Sequence, residues 1–163
     1  MPRLTALFIF LFYALSTFAQ TKNNLTKFIL AKAVKVVDGD TMDAITKDST
    51  YRIRLNAIDA PERGQEYYAE SKEMLEILVL NKPIYIEIKE KDRYGRSVAV
   101  IYRASDKLNI NYEMVKKGMA WHFTKYSDDQ NLAELQMIAR EKELGLWSKY
   151  YYLEPWEYRK SKH

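Results

Sequence analysis

The chain runs to 163 residues, with 26 Lys and Arg against 22 Asp and Glu for a formal charge of +4, and it contains no cysteine. A body of this size can bury a core without cross-links, and the missing thiols exclude a disulfide framework, thiolate zinc sites and a cysteine nucleophile. The mild basic excess permits a polyanionic partner without demonstrating one.

Arg3, the apolar run 4–15 and the small residues Thr17 and Ala19 have the three-part form of an export signal, with cleavage expected after Ala19. The apolar run falls short of the roughly 20 residues that a spanning helix needs. Residues 1–19 therefore read as a signal peptide, and 20–163 as one domain with its core over about 27–147, secreted or periplasmic and free of stable membrane association. Removing the leader takes Arg3 and no acid, leaving a formal charge of about +3.

Residues 28–37 are β-branched and apolar with Lys32 and Lys35 interleaved, which predicts a first strand ended by Asp38, Gly39 and Asp40. Asp-Gly is a hairpin signal, because glycine accepts positive φ without steric cost. A second strand is expected over 41–46. A third runs over 51–58, where Tyr51, Ile53 and Leu55 alternate with Arg52, Arg54 and Asn56, putting Arg54 on the face opposite Leu55. Pro61 closes it. Residues 68–80, with Met74, Leu75 and Leu78 on one side, fit an amphipathic helix stopped before Pro83.

Ile84, Ile86 and Ile88 alternate with polar neighbours, and a turn over 92–96 joins this strand to another over 98–102. A short helix over 111–117 should stop at Gly118, and Asp129 can cap a last helix in which Leu132, Leu135 and Ala139 share a face. Residues 149–163 are aromatic and basic without a clear period. Five short strands with a helix after the third predict an α+β domain, a Greek-key β-barrel of the oligonucleotide-binding (OB) type with three helices.

Three short clusters at strand ends hold most of the reactive groups: Asp38, Gly39, Asp40 and Thr41; Arg54 with Asp59, Pro61 and Glu62; and Asp92, Arg93, Tyr94, Gly95 and Arg96. Asp40 and Asp59 are candidate ligands for a hard cation, an incomplete shell that backbone carbonyl, water and phosphate would have to fill. The two arginines, Arg54 and Arg96, offer planar paired donors to phosphate oxygens. Glu62 can accept a proton from a water near phosphorus. Each of these residues taken alone has a plainer reading as a turn former or a solvated charge.

Taken together, in this order and context, the clusters closely resemble the staphylococcal nuclease (thermonuclease) family over roughly 27–147. The resemblance implies a calcium ion held by Asp40, Asp59 and the main-chain carbonyl of Ala60, with Asp38 acting on it through water. It further implies that Arg54 and Arg96 bind the scissile phosphate while Glu62 activates or orients the attacking water. The 5′ oxygen then leaves, and the products carry a 3′-phosphate.

Arg93 and Tyr94 match family positions that reach the substrate, and backbone and stacking contacts of this kind accept DNA and RNA alike. Another tyrosine contact of the family falls on Thr124, with Tyr126 two residues later as its replacement. His122 and Trp147 read as structural, the basic run 159–162 as a solvated terminus, and the domain as a monomer. The alternative to a nuclease is a noncatalytic OB-fold module that binds nucleic acid. The acidic pair argues against it, since a binder gains nothing from carboxylates beside a polyanion.

Overall fold

A computed structural model describes residues 28–149 and 153–162. The expected leader 1–19 and its cleavage site lie outside the described residues. Seven strands and four α-helices follow in chain order: β1 Ile29–Val36, β2 Thr41–Ile45, β3 Thr50–Leu55, β4 Ile58–Asp59, α1 Tyr68–Val79, β5 Pro83–Lys91, β6 Ser97–Arg103, α2 Ile110–Lys116, β7 Trp121–His122, α3 Gln130–Glu141 and α4 Pro155–Ser161, with a 3-10 turn at Gly145–Ser148. The strands β1-β2-β3-β6-β5 form a closed barrel. Closure comes from β1 pairing with β5, Ile29 opposite Ile86, and the one parallel contact among these strands sets β3 beside β6, Arg54 opposite Val98. This is the expected OB-type order.

Period-two alternation fills the barrel. Met42, Ile53, Leu55, Ile84, Ile86 and Ile101 all point inward and are fully buried, while Arg54 and Val98 keep their side chains on the outer face beside one another. A buried polar group joins the layers: the Asn111 amide donates to the carbonyls of Asn56 (2.9 Å) and Ala99 (3.2 Å), and its oxygen accepts from Ile101 N–H (3.0 Å). Such a side chain is stable inside because its donors and acceptor are matched. Helix α3 starts as expected, with the Asp129 carboxylate accepting from Asn131 and Leu132 N–H.

The structure corrects four expectations. The third strand does not run to residue 58: Ala57 takes a positive φ of 63°, the chain turns, and Ile58–Asp59 becomes a separate strand paired with Trp121–His122. Gly39 is not a positive-φ turn residue. Its smallness serves close packing, because a Cβ there would lie 1.9 Å from Ser71 Oγ and 2.8 Å from Ala60 Cβ. The tail holds a fourth helix, begun by Pro155 at its first turn, so the helices number four among the described residues rather than three. Finally, Arg159 is not part of a solvated terminus, since it makes ion pairs with Asp59 and Glu62, while residues 160–162 are exposed as expected.

Gly118 ends α2 as expected and does more. It takes φ +66°, and its carbonyl accepts from Leu146 N–H at 2.9 Å. A Cβ on Gly118 would sit 2.1 Å from the Leu144 carbonyl oxygen. Replacing Gly118 with Ala should therefore destabilise the protein by at least about 2 kcal/mol, through backbone strain and overlap together. Urea unfolding of the two proteins measures the difference.

Candidate active site

The site forms where the loop between β1 and β2 meets the end of β3 and the short strand β4. Asp38 starts it, its Oδ1 accepting from Asp40 N–H at 3.1 Å. Asp40 is buried, 6% exposed. Its Oδ1 accepts from the Thr41 hydroxyl at 3.1 Å and its Oδ2 from Ala60 N–H at 2.7 Å, so the first acidic cluster is tied directly to the segment after β4. Asp59, 1% exposed, is held by the antiparallel pairing of its strand with Trp121.

Arg54 links these pieces. Its Nη1 donates to the carbonyls of Leu55 (2.9 Å) and Ile58 (2.8 Å), so the turn at Ala57 wraps around the guanidinium. Its Nη2 lies 2.8 Å from Asp59 Oδ1 and 3.2 Å from Asp40 Oδ2. The two terminal nitrogens thus make three hydrogen bonds and one ion pair to protein oxygens. Arg54 is a strut for the two carboxylates as well as a candidate phosphate donor, a role that residue type and spacing do not reveal.

Glu62 follows Pro61 on a short loop, with its N–H donating to Gln65 Oε1 at 2.7 Å. Its carboxylate accepts from Arg159 Nη1 at 2.6 Å, and Arg159 Nη2 donates to Asp59 Oδ2 at 2.8 Å. Arg159 is the residue that sequence reasoning placed in solvent. Its only signal was a basic residue after Pro155 and Trp156, in a segment with no legible period.

The structure thus brings Asp38, Asp40, Arg54, Asp59, Ala60 and Glu62 together. Arg96 stands at the head of β6, two residues before the partner of Arg54 and so on the same outer face, with its Nε donating to Asp92 Oδ2 at 2.7 Å. Arg93 donates to the Tyr94 hydroxyl at 2.7 Å. Tyr94 is 69% exposed and stands on the turn with the Arg93 and Arg96 guanidiniums 4.8 and 5.6 Å from its ring centre, which excludes packing in the barrel as its role. Tyr126 is also exposed and sets its ring edge against Phe123.

Burial shapes the electrostatics. It raises the Asp38 carboxyl to about 6, with Asp40 adding to the rise. Burial also raises Asp59, and the Arg159 hydrogen bond opposes it. For Arg159 burial works against the charge, but hydrogen bonds to Asp59 and Glu62 outweigh it and raise the guanidinium.

The donor set suits a hard divalent cation. Asp40 and Asp59 offer oxygen only, and both contact Nη2 of Arg54, which sets the two carboxylates side by side. Four carboxylates, Asp38, Asp40, Asp59 and Glu62, face two guanidiniums, Arg54 and Arg159, leaving an excess of two negative charges for a divalent ion to balance. Among the described residues no cluster of three or more His, Cys, Asp or Glu makes a closed cage.

An OB-type barrel that gathers carboxylates and arginines at one edge places the fold and site in the class of small barrels suited to a phosphate backbone. The model of the family described as "Staphylococcal nuclease homologue" matches residues 52–149. A Haemophilus influenzae protein named as an uncharacterized endonuclease is 40% identical over 158 residues, covering 96% of this chain and 84% of that protein. A Shigella flexneri protein named as a micrococcal nuclease is 37% identical over 139 residues, 80% of each chain. The chain belongs to the staphylococcal nuclease family, and that membership supports a nuclease function.

His122, on the strand that holds β4, is 3% exposed, pairs through Nε2 with Ser127 Oγ at 3.1 Å, and leaves a buried Nδ1 without a partner among the described residues. Burial lowers its pKa. The unfolded chain then binds the proton that the folded one refuses, so stability from this group is present above the unfolded value of about 6.5 and is lost as pH falls through the folded one. His122→Gln should flatten the decline in urea midpoint between about pH 7.5 and 5; an unchanged slope would remove His122 as its source.

Proposed function

We propose that the protein is a calcium-dependent nuclease that hydrolyses phosphodiester bonds of DNA and RNA with little sequence preference and leaves 3′-phosphate products. The observation that carries this reading is the gathering of Asp40, Asp59 and Glu62 with Arg54 and Arg159 at one edge of the barrel. Asp40, Asp59 and the carbonyl of Ala60 would hold the calcium, with Asp38 acting through water. When bound, that ion supplies charge stabilisation and orientation at the phosphate.

The chain's own groups do the rest. Arg54 and Arg96, on one outer face, bind the scissile phosphate and stabilise charge that grows as the pentavalent transition state forms. Glu62 receives or orients the proton of the attacking water, and the 5′ oxygen departs from the opposite side of phosphorus. Exposed Tyr94 offers a stacking surface that any base can use, with Arg93 and Tyr126 as further contacts. Sequence tolerance follows, because phosphates and ring faces are common to all nucleotides. The leader 1–19 directs the domain 20–163 out of the cytoplasm as a secreted or periplasmic monomer.

Release of acid-soluble nucleotides from single-stranded DNA by the purified mature chain should require calcium and stop with chelator. DNA binding without cleavage, in calcium, magnesium and manganese alike, would identify a noncatalytic binding module instead. Arg54→Ala and Arg96→Ala should each lose roughly 3 to 4 kcal/mol of transition-state stabilisation, as for a deleted oxyanion donor. Near-normal turnover in either removes that residue from the phosphate clamp. For Asp40→Ala the readout is the calcium titration, which should lose its activity response.

A further inference from the structure

The family match ends at residue 149, yet an arginine ten positions later reaches the site. Helix α4 is fastened across the loop that carries Glu62. Trp156 stacks on Phe123 with ring centres 5.2 Å apart and planes 4° from parallel, Gln65 Nε2 donates to the Leu153 carbonyl at 2.9 Å, and the Tyr158 hydroxyl donates to the Arg63 carbonyl at 3.3 Å. Gly64 admits that hydroxyl, since a Cβ there would stand 2.7 Å from it. Arg159 lies one turn beyond buried Pro155 and projects toward the carboxylates.

Its guanidinium makes three contacts. Nη1 is 2.6 Å from Glu62 Oε1 and 3.2 Å from Asp59 Oδ1, and Nη2 is 2.8 Å from Asp59 Oδ2. Asp59 is fully buried and fixed by its strand, whereas the Glu62 side chain is 39% exposed on a loop. A free glutamate there would sample many rotamers, at an ordering cost of about 1.5 to 2 kcal/mol. The planar fork of an arginine transfers the rigidity of one carboxylate to the other. It touches one oxygen of Glu62 and leaves the second clear of this contact, able to meet a water.

We infer that Arg159 is a positioning residue of the active site, holding Glu62 in register with Asp59, and that α4 is thereby a working part of the site. This inference rests on the nuclease reading above. A solvated basic tail would make no such contacts, and lysine in its place would offer one nitrogen where arginine spans both oxygens of Asp59 and one of Glu62 with two.

Arg159→Ala and Arg159→Lys, made in the full mature chain, test it through kcat and KM on single-stranded DNA, the thermal midpoint and calorimetric calcium titration. Loss of position should cost about 100-fold in kcat for alanine, less for lysine, with KM little changed; the thermal midpoint of the alanine variant should fall, since buried Asp59 loses a partner, yet stay above the assay temperature. Low-millimolar ethylguanidinium should restore part of the alanine variant's rate. The inference is overturned by kcat within threefold of wild type, by a lost rate that tracks a lost thermal midpoint and resists rescue, or by faster cleavage with tighter calcium binding. The last result would mark Arg159 as a competitor of the ion. A wild type that cleaves nothing in any of the metals sinks the nuclease reading and this inference together, whereas a cleaving wild type matched by Arg159→Ala sinks the inference alone.

Discussion

Everything at the site depends on one part-buried guanidinium. Arg54 fills a turn of its own strand with two hydrogen bonds, donates a third to Asp59 and lies 3.2 Å from Asp40 in an ion pair. Taking carboxylates out of water is costly unless they are paired and hydrogen-bonded. Without this bridge two buried acids would repel one another across the meeting of β2 and β4. With it, they are held close enough to share a cation, and the turn that redirects the chain from β3 to β4 has its carbonyls satisfied. Structure and chemistry use the same three hydrogen bonds and one ion pair.

The barrel contributes by bringing distant segments to one edge. The parallel pairing of β3 with β6 sets Arg54 beside Val98 and so carries Arg96 onto the same face, while β7 returns from beyond α2 to pair with the strand that bears Asp59. Gly39 lets the first acidic loop press against Ser71 and Ala60. Asp40 can reach the Ala60 amide at 2.7 Å only because that approach is so close.

Much of this was legible before any coordinates. Strict alternation in β3 and β5 marked barrel strands, and Asp129 and Gly118 marked helix ends, because caps and periodicity are local properties. The clusters around Asp40, Arg54 and Glu62 were visible at strand ends and turns, but their roles came only from the resemblance of the whole pattern to a known family. What was not legible was nonlocal. A positive φ at Ala57 breaks β3 without glycine or proline to announce it, and β4 exists only because Trp121 and His122 arrive to pair with it. Helix α4 has seven residues, too few to show a period, and its place is set by Phe123 and the loop 62–67. Arg159 could not be told from a solvated arginine until its partners, nearly 100 residues earlier in the chain, were in view.

That separation bears on when the site comes into being. Its groups are drawn from 38–41, 54–62 and 159, and closing loops of such length is slow compared with forming a helix or a hairpin. A chain still emerging from the ribosome has the acids and the first arginine but lacks the strand that seals the barrel and the helix that meets Glu62. Synthesis therefore runs ahead of the site's assembly, and its groups can meet only once α4 has been made.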